Sequence, residues 1–267
     1  IEDCRLLERC AFSIGQTYDS KFYKSLGKDP AFFTQQLPGH RRALTRITEG
    51  EKDSAGRSTL CCISVILSES DWNTVLMGDI GALLDSREAW KWDGSGDISA
   101  LELAIRGDLS IPVRSRNKAL LIISQIERCF VTHRQVVCSE ADVDRDTVRA
   151  VEMMLPTAVR PRVTTGYRLL STQCPTSLVV LAEQGAGAVS FHPNERFGYS
   201  PYAQAIKTGG IEGGTLPLQV ISGYRDFGAP PRQQATSTHT VVVEKERPVN
   251  RWLVAAALLL VLACVVI

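Results

Sequence analysis

The chain has no Cys-X-X-Cys, no His-X-X-X-His and no His-Glu-X-X-His. A bound zinc ion needs thiolates, imidazoles or carboxylates converging at such spacings. Its four histidines, His40, His133, His192 and His239, are scattered, so no metal is expected. Gly-X-Ser-X-Gly is missing too. Cys138 with His133, or Ser190 near His192, can be drawn as a nucleophile and base, but no motif stands behind either pair; no catalytic residue is assigned. No Gly-rich stretch has the Gly-X-X-X-X-Gly-Lys-Ser/Thr spacing of a phosphate loop. Lys207–Gly214 reads as a flexible loop, Gln184–Gly187 neither has that spacing nor clearly follows a strand and opens a helix, and no cofactor is expected. Acidic triples such as Asp142, Asp144 and Asp146 suit the first turn of a helix, where they complement its dipole.

Charge of one sign is missing as well. Lys and Arg number 30 against 29 Asp and Glu, and no basic stripe with interleaved aromatics appears, which disfavours nucleic acid as the main partner. None of the four asparagines, Asn73, Asn117, Asn194 and Asn250, begins an Asn-X-Ser/Thr glycosylation acceptor. No charged-then-apolar N-terminal stretch resembles a signal peptide.

The most informative stretch also lacks charge. Trp252–Ile267 (WLVAAALLLVLACVVI) holds no charged residue, no Gly and no Pro over sixteen residues. As a helix it spans about 24 Å against a hydrocarbon core of about 30 Å. It is expected to be a transmembrane helix that continues beyond Ile267, with Ala255, Ala256, Ala257 and Ala263 permitting close helix packing. Lys245, Arg247 and Arg251 precede it, with Trp252 at its start. Counted by the positive-inside rule, these place the folded part in the cytoplasm. Seven cysteines lie outside the run, an odd number, and Cys61, Cys62 and Cys129 sit in apolar segments. That usage suits reduced thiols better than the disulfides of a lumenal receptor.

The expected organisation is therefore a cytoplasmic α+β domain over 1–225, a flexible linker over 226–250 (DFGAPPRQQATSTHTVVVEKERPVN) and a transmembrane helix over 251–267. Within the domain, Glu8–Gln16 and Leu44–Thr48 read as strands. Ser58–Leu67 (STLCCISVIL) reads as a strand buried on both faces. Ser68 and Asp71 suggest the start of a helix over Glu69–Leu84, and Trp90–Asp97 (WKWDGSGD) a loop. Arg116–Phe130 predicts a buried helix, Gln135–Cys138 a short strand, and Val143–Leu155 an amphipathic helix stopped by Pro156. Val163–Ser171 and Ser177–Glu183 read as a hairpin, Pro201–Lys207 as a short helix and Leu216–Tyr224 as an extended piece. The imperfect alternation of strands and helices predicts a mixed β-sheet with packed helices rather than a doubly wound parallel sheet.

Arg160-Pro161-Arg162 forms a compact basic turn between a helix and a strand. The plainer reading is a solvated turn. The functional one is a contact for carboxylate or phosphate, which guanidinium forks suit.

Three segments carry a family resemblance: Gly56-Arg57 leading into Ser58–Leu67, the helix–strand–helix run from Leu120 to Pro156, and Arg160-Pro161-Arg162 opening the strand at Val163. In order and spacing, over residues 50–185, they resemble the N-terminal module of the bacterial GTPase-associated proteins, members of conflict or defence systems. A histidine common in the family's strand after the Gly-Arg turn is replaced here by Cys61 and Cys62. The resemblance implies an adaptor or scaffold whose protein partner is a GTPase. Arg160, Arg162, Trp90 and Trp92 are the expected exposed anchors, since Arg and Trp are enriched at binding hot spots. A membrane-tethered hydrolase using Cys138 or Ser190 is the alternative.

Overall fold

A computed structural model describes residues 20–90, 103, 110–130 and 132–209. The readings placed on Glu8–Gln16, Trp92, Leu216–Tyr224, the linker and Trp252–Ile267 lie outside the described residues. Residues 1–230 group as one unit and 231–267 as another, and every described residue belongs to the first. Among the described residues, no helix is long and apolar enough to cross a membrane.

Helix α1 (Ser20–Leu26) leads into β1 (Ala31–Leu37) and β2 (Arg41–Glu49), an antiparallel hairpin. Its tight turn has Gly39 and His40 in left-handed backbone at φ 73 and 54, the conformation short hairpin loops require. Strand β3 (Leu60–Ser68) pairs antiparallel with β2. Two short helices follow, α2 (Glu69–Thr74) and α3 (Ile80–Asp85), and then the long α4 (Val113–Phe130). The rest is β4 (Val136–Ser139), α5 (Arg145–Met154), β5 (Thr165–Ser171), β6 (Leu178–Ala186) and α6 (Pro201–Gly209).

The six described strands form one mixed sheet in the order β3-β2-β1-β5-β6-β4. Alternation along the strands gives it two apolar faces. Phe32, Leu44, Val136, Val180 and Tyr167 face the helices α2–α6, while Phe33, Ala43, Ile47, Val137 and Val179 share the other core with Phe22 and Leu26 of α1. Phe32 and Phe33 are each fully buried, and burial of such a side chain contributes about 1.5–3 kcal/mol. The expected α+β architecture with a mixed sheet and packed helices is what the structure shows.

Four sequence expectations change. Ser58–Leu67 is not covered on both faces: among the described strands β3 lies at the edge of the sheet, with Cys62 exposed and Ile66 41% exposed. Its apolar composition reflects one core face and a partly open opposite one. The single helix over Glu69–Leu84 is two helices. Ser68 caps the first as expected, its hydroxyl accepting the Asp71 N–H at 3.0 Å. Met77 and Gly78 then turn left-handed at φ 52 and 75, and Asp79 caps the second by accepting the Ala82 N–H. A Cβ on Gly78 would lie 2.7 Å from the Glu152 carbonyl oxygen and 2.8 Å from Arg160 Nε, so the break is set by close approach to α5. The helix read as Val143–Leu155 begins at Arg145, because Asp144 is its cap and accepts the Thr147 N–H at 2.7 Å.

The fourth change is one of direction. β5 and β6 are parallel, with Thr165 opposite Leu178 and Tyr167 opposite Val180. A short connection ordinarily means a hairpin, since parallel neighbours need a long crossover. Here Arg168, at φ 55, interrupts β5 and the register shifts beside it. The six residues 172–177 reach at most about 20 Å when extended, just enough to return along the strand.

Candidate functional site

The two arginines of the basic turn have opposite fates. Arg160 is 2% exposed. Its Nε donates to the Glu152 carbonyl at 2.9 Å, Nη2 to those of Met153 and Leu155 at 2.9 and 3.1 Å, and Nη1 to Asn73 Oδ1 at 3.0 Å. A guanidinium thus closes the C-terminal end of α5, where carbonyls lack helical partners and negative potential collects. Burial, opposed chiefly by Glu152, lowers its pKa to about 10, which leaves it charged at neutral pH.

Arg42 lies beside it, 1% exposed. Its Nη2 donates to both oxygens of Glu152 at 2.7 and 2.9 Å and to the Val163 carbonyl at 2.8 Å. Nη1 donates to the Arg160 carbonyl. Thr34 and Thr165 donate hydroxyls to Glu152 Oε1, and Trp72 lies under the Arg42 guanidinium at 4.7 Å. Burial depresses the Arg42 pKa, and the Glu152 carboxylate opposes that shift. A second buried pair, Arg149 with Asp79, closes at 2.6 and 2.8 Å. This network ties α2, α3 and α5 to the sheet. Its charged groups are consumed by one another, so the expectation that Arg160 is an exposed anchor is corrected.

Trp90 is corrected likewise. It is 8% exposed, its indole N–H donates to the Leu83 carbonyl at 2.8 Å, and Arg46 packs over its ring. Trp92, Lys245, Arg247, Arg251 and Trp252 lie outside the described residues.

Arg162 is exposed, its guanidinium over the Phe130 ring at 4.8 Å. It borders a cavity of about 150 Å³ shared with Ile126, Cys129, His133, Arg134 and Ser177. Helix α4 ends at this cavity. The Thr132 and Arg134 N–H groups bond the Cys129 carbonyl, and the His133 N–H bonds that of Phe130, with His133 left-handed at φ 51. That closure satisfies the last carbonyls of the helix and sets His133 and Arg134 on the rim. The floor is apolar: Ile126 is 2% exposed, and Cys129 and Phe130 are half-buried. Gln135 and Ser177 complete the wall just before β4 and β6 begin. No described carboxylate pairs with Arg162, Arg134 or His133. Sequence reasoning found Arg162, drew His133 only as a base for Cys138, and missed Arg134; the signal was Thr132-His133-Arg134, a polar stop directly after an apolar helix.

The hydrolase candidates are not brought together. Cys138 is fully buried and its thiol is pushed up to about 12 by burial and the nearby Asp142. Ser190 Oγ accepts the Val137 N–H at 3.0 Å. His192 does pair with Asp142 at 2.6 Å, beyond the carboxyl end of β4. There Lys118 donates to the Asp142 carbonyl, but no described bond joins His192 to a nucleophile. A wider cavity of about 370 Å³ opens near the start of α4, between Arg114, Asn117 and Tyr199. Among the described residues, no three His, Cys, Asp or Glu side chains converge as metal ligands would.

No protein-family model matches the chain, and no curated protein or solved structure does either.

Proposed function

We propose that this chain is a membrane-held adaptor. The α+β domain sits on the cytoplasmic side, recruits a protein partner through the Arg162 pocket, and is tethered by the linker and the apolar run Trp252–Ile267. The supporting observation is the pocket itself: exposed Arg162, Arg134 and His133 around one cavity, without a described carboxylate among them. Guanidinium groups with no described carboxylate partner at a concave surface suit an acidic group brought by a partner. The resemblance to the N-terminal module of the GTPase-associated proteins makes a GTPase the partner to look for first. Tethering would raise that partner's effective concentration at the bilayer.

The test is affinity capture from cells with detergent-extracted full-length protein beside its Arg162→Glu variant. A GTPase or another defined protein held by the first and lost by the second supports the reading. Equal retention by both would remove the pocket from the interface, and capture of nothing by either would remove the adaptor role. A copy ending at Asn250 should leave the membrane fraction; one that stays there would refute the tether.

A further inference from the structure

We propose that the pocket at the end of α4 takes the C-terminal residue of a polypeptide, with its apolar side chain on the floor and its free carboxylate at the rim. This deepens the adaptor reading, and it rests on that reading only for the ligand being a polypeptide.

The polar lining is rich in donors. Arg162 and Arg134 present guanidinium N–H groups and no acceptor, and His133 adds an imidazole on the same rim. Ser177 Oγ already accepts the Thr164 N–H at 3.3 Å, which leaves its hydroxyl hydrogen to donate. Gln135 Nε2 is engaged with the Cys174 carbonyl at 2.6 Å. Such a set selects an anion. Contact with the Phe130 ring at 4.8 Å holds the Arg162 guanidinium, and a held guanidinium offers a two-pronged fork for a planar carboxylate.

The floor narrows the choice. Ile126, Cys129 and Phe130 give a bare inorganic anion nothing to pack against, whereas an apolar body would remove them from water. A cavity of about 150 Å³ is the size that takes a benzene-sized group, hence one leucine- or phenylalanine-like side chain. A lipid acyl chain is far too long for it. Phosphate sites commonly draw on free backbone N–H groups. Here those of Thr132, His133 and Arg134 are all spent on Cys129 and Phe130 carbonyls. An aliphatic residue carrying its own carboxylate satisfies both floor and rim.

Cys129 lines the pocket and reports its occupancy. The full-length protein in detergent is alkylated with iodoacetamide, and each cysteine is followed by mass spectrometry. Cys62, on the edge strand at the opposite side of the sheet, serves as the control. The probe is acetyl-Gly-Ser-Leu with a free carboxylate. At ten times its Kd it should slow Cys129 about tenfold by occupancy and leave Cys62 unchanged. The C-terminal amide of the same tripeptide should not protect. Arg162→Gln should abolish protection with the Cys62 rate and circular dichroism unaltered; if that variant fails to fold, Arg134→Gln carries the same test. Protection by the amide, or equal protection by inorganic phosphate, would overturn the assignment. So would no protection at any concentration, or protection that survives in the folded variant. Tripeptide protection with no captured partner would refute the adaptor and leave the pocket standing, and the reverse result would refute only the ligand.

Discussion

Arg160 and Arg162 stand two residues apart in one turn, and the chain uses them in unrelated ways. The region around Arg160 is a buried network in which Arg42, Arg160, Glu152, Asp79 and Arg149 bond one another, nearby carbonyls and two threonines. The region around Arg162 is a pocket whose cations meet no described carboxylate. The difference lies in what each guanidinium reaches. One meets the C-terminal carbonyls of α5, and the other the ring of Phe130 at the end of α4. Buried charge carries a large desolvation cost, so removing one partner is severe. A charge left at the surface costs little to remove, and it stays available to a ligand.

That contrast can be broken from the network side first. Glu152→Ala leaves the Arg42 guanidinium buried without its carboxylate and should destabilise by about 3–5 kcal/mol, read by urea unfolding. A loss near zero would mean that the guanidinium reaches solvent. Gly78→Ala forces a Cβ against the Glu152 carbonyl and Arg160 at φ 75, and should cost about 1–3 kcal/mol. Trp90→Phe deletes the hydrogen bond to the Leu83 carbonyl while keeping a ring, a loss of about 1 kcal/mol. Arg162→Ala should change stability by no more than about 0.5 kcal/mol and yet abolish partner capture. If it unfolds the domain, the two regions are not distinct. The double exchange of Arg160 and Arg162 for Glu cannot make this comparison, because a carboxylate at position 160 would face the carbonyls that now accept its hydrogen bonds.

The cysteines offer a milder test. Cys138, with its thiol pushed up to about 12, should resist alkylation in the folded protein at mildly alkaline pH while Cys129 reacts. Its folded pKa lies above its unfolded value. The unfolded thiol therefore ionises first, and this group's contribution to stability should fall as pH rises past about 9. Native labelling of Cys138 would reopen the hydrolase alternative.

Much of the architecture was legible from local chemistry. Ser68 and Asp71 announced a helix start and found it. The apolar period through Leu120–Ile126 announced α4, and the strand at Val136 and the helix after Asp144 fell within a residue or two of their places. Gly78 before Asp79 was a legible break that the apolar pattern across it concealed. The parallel pairing of β5 and β6 was not legible, because a six-residue return is ordinarily a hairpin and only the kink at Arg168 permits otherwise. Nor was the edge position of β3, since a strand's neighbours are chosen by the rest of the sheet.

What the sequence by itself determined is what depends on residues a few places apart: caps, periodicity, turn chemistry and the charge-free run at Trp252–Ile267. What only the tertiary structure decided is which polar groups meet. Arg42 and Glu152 are 110 residues apart in the chain, and no local pattern encodes that contact. The same basic turn yields one structural arginine and one available arginine because the helix ends packed against it differ. Whether a charge is consumed or presented follows from burial and partners, and both are properties of the assembled fold.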